Sequence, residues 1–504
     1  MDESKTKNSE KTTKKATKRN DQRAEKNGKG SFLKGAAWIA AGGFIAKVIG
    51  ALYRIPLTNL VGAHGLGLYQ MVYPVYCLLL TVSATGIPSS IAKLVAERVS
   101  KGESDAPVFK TAMWLFLLIG LFGTALMAII APFLARAQGS EEVLGGYYAL
   151  APSVLFVSAI SVFRGWFQGR NRMFPTALSE ITEQAVKVGF GLLFAYLYRT
   201  NIQKAVVFLL LSVSLSELCA LILMYILYKR VHAPVKMKKE GGMVEVKTVL
   251  RLSIPVTLSS MLLPLSGLID SVFVPRLLGA YAAEPVTLFG LFSGGAVTII
   301  NLPVSVCYGI AAASIPAVAA AAARAKTRAN KAALPDEAKE KDEINEKHNE
   351  TNVKTDGKIH KKSRNSVRKK IGFSLLVTVA VALPSALGLY VLAEPAVKIV
   401  FRNLTGEELT TLVRLVKIFS ISALTLSCVQ TLSACLTAQG KPQYAAFSML
   451  IAVAVKTTLY AIWLKNPKTS VFGLAHATNI CYLVAFLLDL LYNLRVSKKA
   501  KRKE

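Results

Sequence analysis

The chain has 504 residues, 53% of them hydrophobic, a mean hydropathy of +0.42 and a formal net charge of +31. A soluble chain of this length usually forms several domains with a hydropathy near or below zero, so an ordinary soluble enzyme, a secreted disulfide scaffold and a disordered protein are all excluded. The two properties occupy different stretches, because residues 1–34, 324–370 and 495–504 hold 32 of the 61 Lys and Arg in 91 positions.

Residues 1–34 read as a disordered basic cytoplasmic tail. The apolar run that follows, at about 35–55, is too long for the apolar core of a signal peptide and has no small-residue cleavage site after it. A hydrocarbon core about 30 Å thick needs roughly 20 apolar residues per helix. Runs of that size recur at about 66–92, 110–132, 147–168, 176–198 and 204–228, which completes a first half over 35–228. A basic linker at 229–248 leads to runs at about 249–274, 286–320, 371–393, 411–438, 443–464 and 471–494. These form a second half over 249–494, interrupted by a hydrophilic insertion at 324–370, and a basic tail follows at 495–504. The predicted fold is all-α: a polytopic membrane protein of about 12 transmembrane helices in two six-helix lobes.

A weak internal repeat of about 220 residues supports the division. Leu60-Val61-Gly62-Ala63 after the first span matches Leu277-Leu278-Gly279-Ala280 after the seventh, and Ile87-Pro88 matches Ile315-Pro316. Gln168-Gly169 followed by Pro175 matches Gln439-Gly440 followed by Pro442. An even number of spans separates the copies, so the lobes are expected to share orientation about a pseudo-twofold axis along the membrane normal. With an inside start, 47 of the 61 basic residues fall on the cytoplasmic side, 9 on the other side and 5 within spans, as the positive-inside rule requires. Both termini are therefore expected in the cytoplasm of a bacterial plasma membrane. The insertion is rich in Lys, Glu, Asn and Asp and reads as disordered. The basic tails lack interleaved aromatics and any nucleic-acid-binding fold, so anionic membrane lipids, rather than nucleic acid, are their expected partners.

Cys77, Cys219, Cys307, Cys428, Cys435 and Cys481 all sit in apolar runs without metal or redox spacing. No metal site, cofactor, nucleophile–base pair or phosphate loop stands out. Prolines and glycines within the spans suit hinged helices and alternating access. Ionisable groups at membrane depth are costly unless they face a cavity or a partner. On the fifth span Thr176, Glu180, Glu183, Gln184 and Lys187 share one helical face, which must look onto water or protein; Glu183 and Lys187 could also simply neutralise each other. The first span offers Lys47 and Arg54, two cations on one face beside Gly43 and Gly50, suited either to an anionic ligand or to close packing. Arg164 and Gln168 near the end of span four could bind substrate or anchor the helix. Lys456 is the lone charge of span eleven. Glu217, Asp270 and Asp489 are candidate coupling sites or counter-ions.

Tyr53-Arg54-Ile55-Pro56, Leu60-Val61-Gly62-Ala63-His64-Gly65-Leu66-Gly67, Thr85 to Val95, Phe163 to Arg170, Asp270 to Arg276 and Ile300-Asn301-Leu302-Pro303 resemble the stage V sporulation protein B branch of the polysaccharide exporters. That branch is related to MurJ-type lipid II flippases within the multidrug, oligosaccharidyl-lipid and polysaccharide exporter superfamily. The resemblance covers roughly 33–323 and 370–494. It implies two lobes around a cavity that opens alternately to either side, with basic residues meeting the diphosphate of an undecaprenyl-linked sugar. Lys47, Arg54 and Arg276 are the positions it assigns to that role. The chain departs from the MurJ pattern around Leu68-Tyr69-Gln70, where an acidic residue is missing, and it ends before two further helices found in longer relatives.

The expected function is a flippase for an undecaprenyl-diphosphate-linked cell-wall or polysaccharide precursor, acting as a monomer without a cofactor and not as an enzyme. Export of an anion is favoured by an inside-negative potential, about 2.3 kcal/mol per charge per 100 mV. Two alternatives stand beside it. One is a cation-coupled exporter of small amphipathic compounds, which needs Glu180, Glu183 or Glu217 unpaired in the cavity. The other is a non-transporting membrane scaffold that recruits cell-wall synthesis enzymes through its basic tails.

Overall fold

The computed structural model describes residues 42, 43, 45, 46, 48–50, 52–83, 86–231, 246–307, 309, 318 and 356–499. Within these residues the regular structure is helical and no strand occurs. Helix runs through 52–83 with a reversal at Gly62, whose φ of +66° is left-handed. Nothing lies within 4 Å of the place where a side chain at Gly62 would stand, so conformation and not space calls for glycine there. The helices Ile87–Ser100, Ala106–Gln138, Leu144–Gly169, Phe174–Leu197 and Ile202–Val231 complete the first half. The second half is built from Val246–Ser260, Leu262–Leu278, a helix over 285–307, Asp356–Val391, Ala393–Val400, Gly406–Phe419, Ile421–Ala438, Pro442–Trp463 and Ser470–Lys499.

Among the described residues, helix stands at each of the twelve expected span positions. Nine stretches of the described residues are long and apolar enough to cross a membrane, and the first of them, Val48–Ser100, takes in both spans one and two. Two expected spans fall outside the nine for physical reasons. Phe174–Leu197 carries Glu180, Glu183 and Lys187 in its middle, and span seven is broken at Met261 into two shorter helices. The turns after spans four and ten use equivalent backbone, with Asn171 at φ 58° and Gly440 at φ 72°, each two residues past its helix and each followed by a proline that starts the next one.

One boundary differs from expectation. The helix of span nine begins at Asp356, so residues 356–370, expected within a disordered insertion, are helical. Extending a helix from an anchored span costs little compared with nucleating one, and the Lys- and Arg-rich stretch contains good helix formers. Residues 324–355, like the tails 1–34 and 500–504 and the linker 232–245, lie outside the described residues.

Within the first half, span three packs on four, four on six and five on six; in the second half the contacts run nine on ten, ten on twelve and eleven on twelve. Large apolar side chains on span three, including Trp114, Phe122, Ile129 and Phe133, face outward, as a lipid-exposed helix requires. The main apolar core crosses between the halves, with Leu66, Leu68 and Met71 of span two against Phe289, Leu291 and Phe292 of span eight.

At that crossing the backbones touch. A methyl group on Gly67 would stand 2.1 Å from the Val286 carbonyl oxygen, and one on Gly290 would stand 2.1 Å from that of Ala63. Span eight accommodates the approach with a π-helical stretch, Gly290–Ala296. Beside it Asn59 ties the turn after span one to the chain before span ten. Its Nδ2 donates to the Val400 carbonyl at 2.9 Å, its Oδ1 accepts from the Arg402 amide at 2.7 Å, and its own carbonyl accepts from Asn403 Nδ2 at 2.6 Å. The halves are thus latched at one end of the bundle. Gly290→Ala is expected to push spans two and eight apart and destabilise this closed arrangement by about 1–3 kcal/mol. Faster labelling of a cysteine placed at Leu66 by a membrane-impermeant maleimide measures it.

Candidate cationic cavity

Next to the latch lies a cavity of about 300 Å³, lined by Gly50, Tyr53, Arg54 and Leu57 of span one, Leu66, Tyr69 and Tyr73 of span two, Lys187 of span five, and Thr298, Asn301, Leu302 and Ser305 of span eight. Helical spacing builds it: Tyr69 and Tyr73 are one turn apart and stack at 5.1 Å between ring centroids, while Thr298, Asn301 and Ser305 follow the i, i+3, i+7 stripe of one face. Arg54 reaches across the halves, where its Nη1 donates to Thr298 Oγ1 at 2.8 Å. Among the described residues Lys187 makes no hydrogen bond and no ion pair, and no Asp or Glu lines the cavity. Two cations with free donor capacity, tyrosine rings and neutral hydroxyl and amide groups form a setting for a phosphate or another oxyanion.

Lys187 is free because its helical neighbour pairs elsewhere. Arg164 of span four donates from Nη2 to Glu183 at 3.2 Å and from Nε to Ser179 at 3.0 Å. The Arg164–Glu183 pair, not Glu183 with Lys187, is therefore the neutralised one. Gln184 donates to the other Glu183 oxygen at 3.3 Å. Glu217, 3% exposed, accepts from Tyr76 Oη at 3.4 Å, with the Glu183 carboxyl beside it. Glu180 turns toward Gly43. Close packing accounts for the glycines of span one: a methyl on Gly42 would meet Ala177 at 2.6 Å, and one on Gly50 would meet Gln184 at 3.3 Å. The polar face of span five thus meets span one along most of its length and opens to the cavity at Lys187.

The remaining predicted residues lie apart. Lys456 is buried in the second half, donating to Asp270 at 2.6 Å and Ser266 at 2.7 Å, with its side chain 4% exposed. Asp270 is its counter-ion in this arrangement. Arg276 is exposed in the last turn of Leu262–Leu278, and Gln168 is half-buried at the end of span four; neither lines the cavity. Lys47 lies outside the described residues. The sequence reading did not single out Tyr53, Tyr69, Tyr73, Thr298 or Ser305, although the spacing of Tyr69, Tyr73 and Tyr76 was visible as a stripe. It also passed over a buried clamp in which Arg170 forms two bonds, of 2.6 and 2.8 Å, to Asp105 while stacking on Trp166 at 4.3 Å.

On the far side of the latch a second groove of about 180 Å³ is lined by residues including Asn59, His64, Asn403 and Glu408. Burial and the neighbouring Glu284 hold Glu408 above the usual carboxylate range. Its charge is opposite in sign to that of the cavity.

The polysaccharide biosynthesis protein family matches residues 32–321, more than half of the chain. The chain belongs to that family. The lipid II flippase MurJ family matches residues 357–502. Stage V sporulation protein B of Bacillus subtilis (strain 168) is 27% identical over 303 residues, spanning 58% of this chain and 58% of that protein's own length. The uncharacterized membrane protein YabM of the same organism is 26% identical over 477 residues, 92% of this chain and 79% of that one. Among solved structures, an inward-facing multidrug resistance MATE family transporter of the MOP superfamily superposes with a TM-score of 0.71 at 13% identity, covering 91% of this chain and 96% of that one. Lipid II flippase MurJ in an inward closed conformation does so with a TM-score of 0.61 at 15% identity, covering 92% and 90%. The fold of this family member is that of a multi-pass MOP-superfamily transporter.

Proposed function

We propose that the protein is a flippase that moves an undecaprenyl-diphosphate-linked cell-wall or polysaccharide precursor, lipid II-like, outward across the plasma membrane by alternating access of two six-helix lobes. The observation that carries this reading is the cavity itself, in which Arg54 and Lys187 face the same space without a carboxylate among its described lining residues. An anionic head group gains charge-assisted hydrogen bonds there, and the tyrosine rings offer faces for a sugar. The MurJ family match over 357–502 supports the same substrate class.

In this reading both termini are cytoplasmic, as the distribution of basic residues favours, and the Asn59 latch is the outer gate. Its closure leaves the cationic cavity to load from the inside. Membrane potential then assists movement of the phosphate charge outward. Substrate movement, not bond making, is the work assigned to the site residues.

A cation-coupled exporter of small amphipathic compounds, which needs an unpaired acid in the cavity, fits this space less well. Glu183 is held by Arg164, and neither it, Glu180 nor Glu217 lines the cavity. The direct test is outer-face accessibility of lipid-linked precursor in cells depleted of the protein, which is expected to fall; unchanged accessibility would count against the flippase. Deleting residues 1–30 and 326–355, which spares the helix that begins at Asp356, is expected to leave most of that export in place, whereas a scaffold acting through basic segments would lose its activity.

A further inference from the structure

The second cation of the cavity depends on a residue outside it. Lys187 lies one turn beyond Glu183 on Phe174–Leu197, with the acid N-terminal to the base, the order in which an i, i+4 pair is most favourable on a helix. Left to local geometry, the Glu183 carboxylate would take the Lys187 ammonium as its partner. It does not: one carboxylate oxygen accepts from Arg164 Nη2 at 3.2 Å and the other from Gln184 Nε2 at 3.3 Å.

Arg164 is itself held in place. Its Nε donates to Ser179 Oγ at 3.0 Å, and Ser179, wholly buried, donates in turn to the Thr176 carbonyl at 2.8 Å. The planar guanidinium thus grips span five at two positions one turn apart, as its fork of donors allows. Neither Arg164 nor Glu183 lines the cavity. Glu217, 3% exposed and beside Glu183, carries the wrong charge to compensate it. A carboxylate at this depth needs a cation, and the two that flank Glu183 are Arg164, which has it, and Lys187, which is spared by that choice.

We propose that Arg164 is a positioning residue for the anion site: by holding Glu183 it keeps Lys187 free to bind phosphate, and where that hold is lost Glu183 turns to Lys187 and closes the site to anions. This role presupposes the anion-binding cavity of the flippase reading. Inorganic pyrophosphate is titrated onto the purified full-length chain in detergent at constant ionic strength, and the concentration that gives half of the maximal rise in Tm is read. Lys187→Ala raises that concentration by about tenfold. Arg164→Gln raises it by about the same factor from outside the cavity, and combining Arg164→Gln with Glu183→Gln returns it to within about twofold of the native value. Adding Arg164→Gln to Lys187→Ala has no further effect. If Arg164→Gln fails to accumulate, Ser179→Ala removes one of the two bonds that hold the guanidinium and gives a rise of about threefold, which Glu183→Gln likewise reverses. Native affinity in Arg164→Gln, or in Ser179→Ala where that variant stands in for it, would overturn the proposal alone. So would a loss that Glu183→Gln does not restore, which would make Arg164 an anion ligand. No response of the native chain to pyrophosphate, or one indifferent to Lys187→Ala, would overturn the anion reading of the cavity and this role with it.

Discussion

Arg54→Ala and Lys187→Ala each lower export of lipid-linked precursor by about 10- to 100-fold, the equivalent of losing a charge-assisted hydrogen bond to phosphate of roughly 1.5–3 kcal/mol. The two cations share one cavity and approach it from spans one and five, so the double variant is expected to fall further than either single one, though not by the product, because neighbouring groups acting on one ligand couple. Arg54→Lys retains the charge but not the planar fork that lets Arg54 hold Thr298 and still present donors; it recovers only part of the activity. Export is read as outer-face accessibility of precursor in cells whose only copy is the variant, normalised to the amount of protein in the membrane. Wild-type export by both alanine variants would remove the cavity from the mechanism.

Lys456→Ala is expected to act on stability. Its ammonium is bound to Asp270 and Ser266 in a nearly closed site, and removing one partner of a buried pair leaves the other uncompensated, at a cost of ~3–5 kcal/mol. Asp270→Ala is expected to cost a similar amount. The paired substitution Lys456→Met with Asp270→Leu removes both charges and recovers most of the loss, since a well-packed apolar pair can replace an ion pair at little cost. Thermal unfolding in detergent, run beside the export assay, separates the two roles open to Lys456. If Lys456→Ala melts like the native chain and yet exports poorly, Lys456 is a substrate group, reached in another state of the transporter.

Much of the fold was legible because a bilayer imposes a simple rule on sequence. A helix must be apolar for about 20 residues to cross it, so the twelve runs marked helices before any contact was known, and Phe174–Leu197 was recognisable as special by the three charges on its face. Spacing also placed Glu180, Glu183, Gln184 and Lys187 on one side of that helix. It could not decide which charge paired with which. Glu183 and Lys187 are one turn apart, and local geometry favours their pairing; Arg164, distant in sequence, takes Glu183 instead.

The same limit explains Lys456, the lone charge of span eleven, whose partner nothing along its own span could reveal. Lys456 is enclosed by Asp270 and Ser266 and Lys187 looks into a cavity, a difference made wholly by which helices flank them. Thr298 and Ser305 were invisible as site residues because a hydroxyl in an apolar run ordinarily bonds to the carbonyl one turn back, and Ser305 does so to Asn301. Asp105 and Arg170 sit in separate turns, so nothing periodic joins them.

What the sequence determined by itself was the position of the apolar helices, since this follows from the apolar length of each run; for the basic segments it set an expected side of the membrane. Tertiary structure alone decided which ionisable groups remain free. An ion pair at membrane depth requires two side chains within about 4 Å, and that distance is set by helix packing, down to glycines such as Gly67 and Gly290 that allow spans two and eight to touch. In the orientation proposed, most of the large positive charge of the chain marks the cytoplasmic side. Arg54 and Lys187 are the groups proposed to act in transport because packing left them facing one cavity without an acid among its described lining residues.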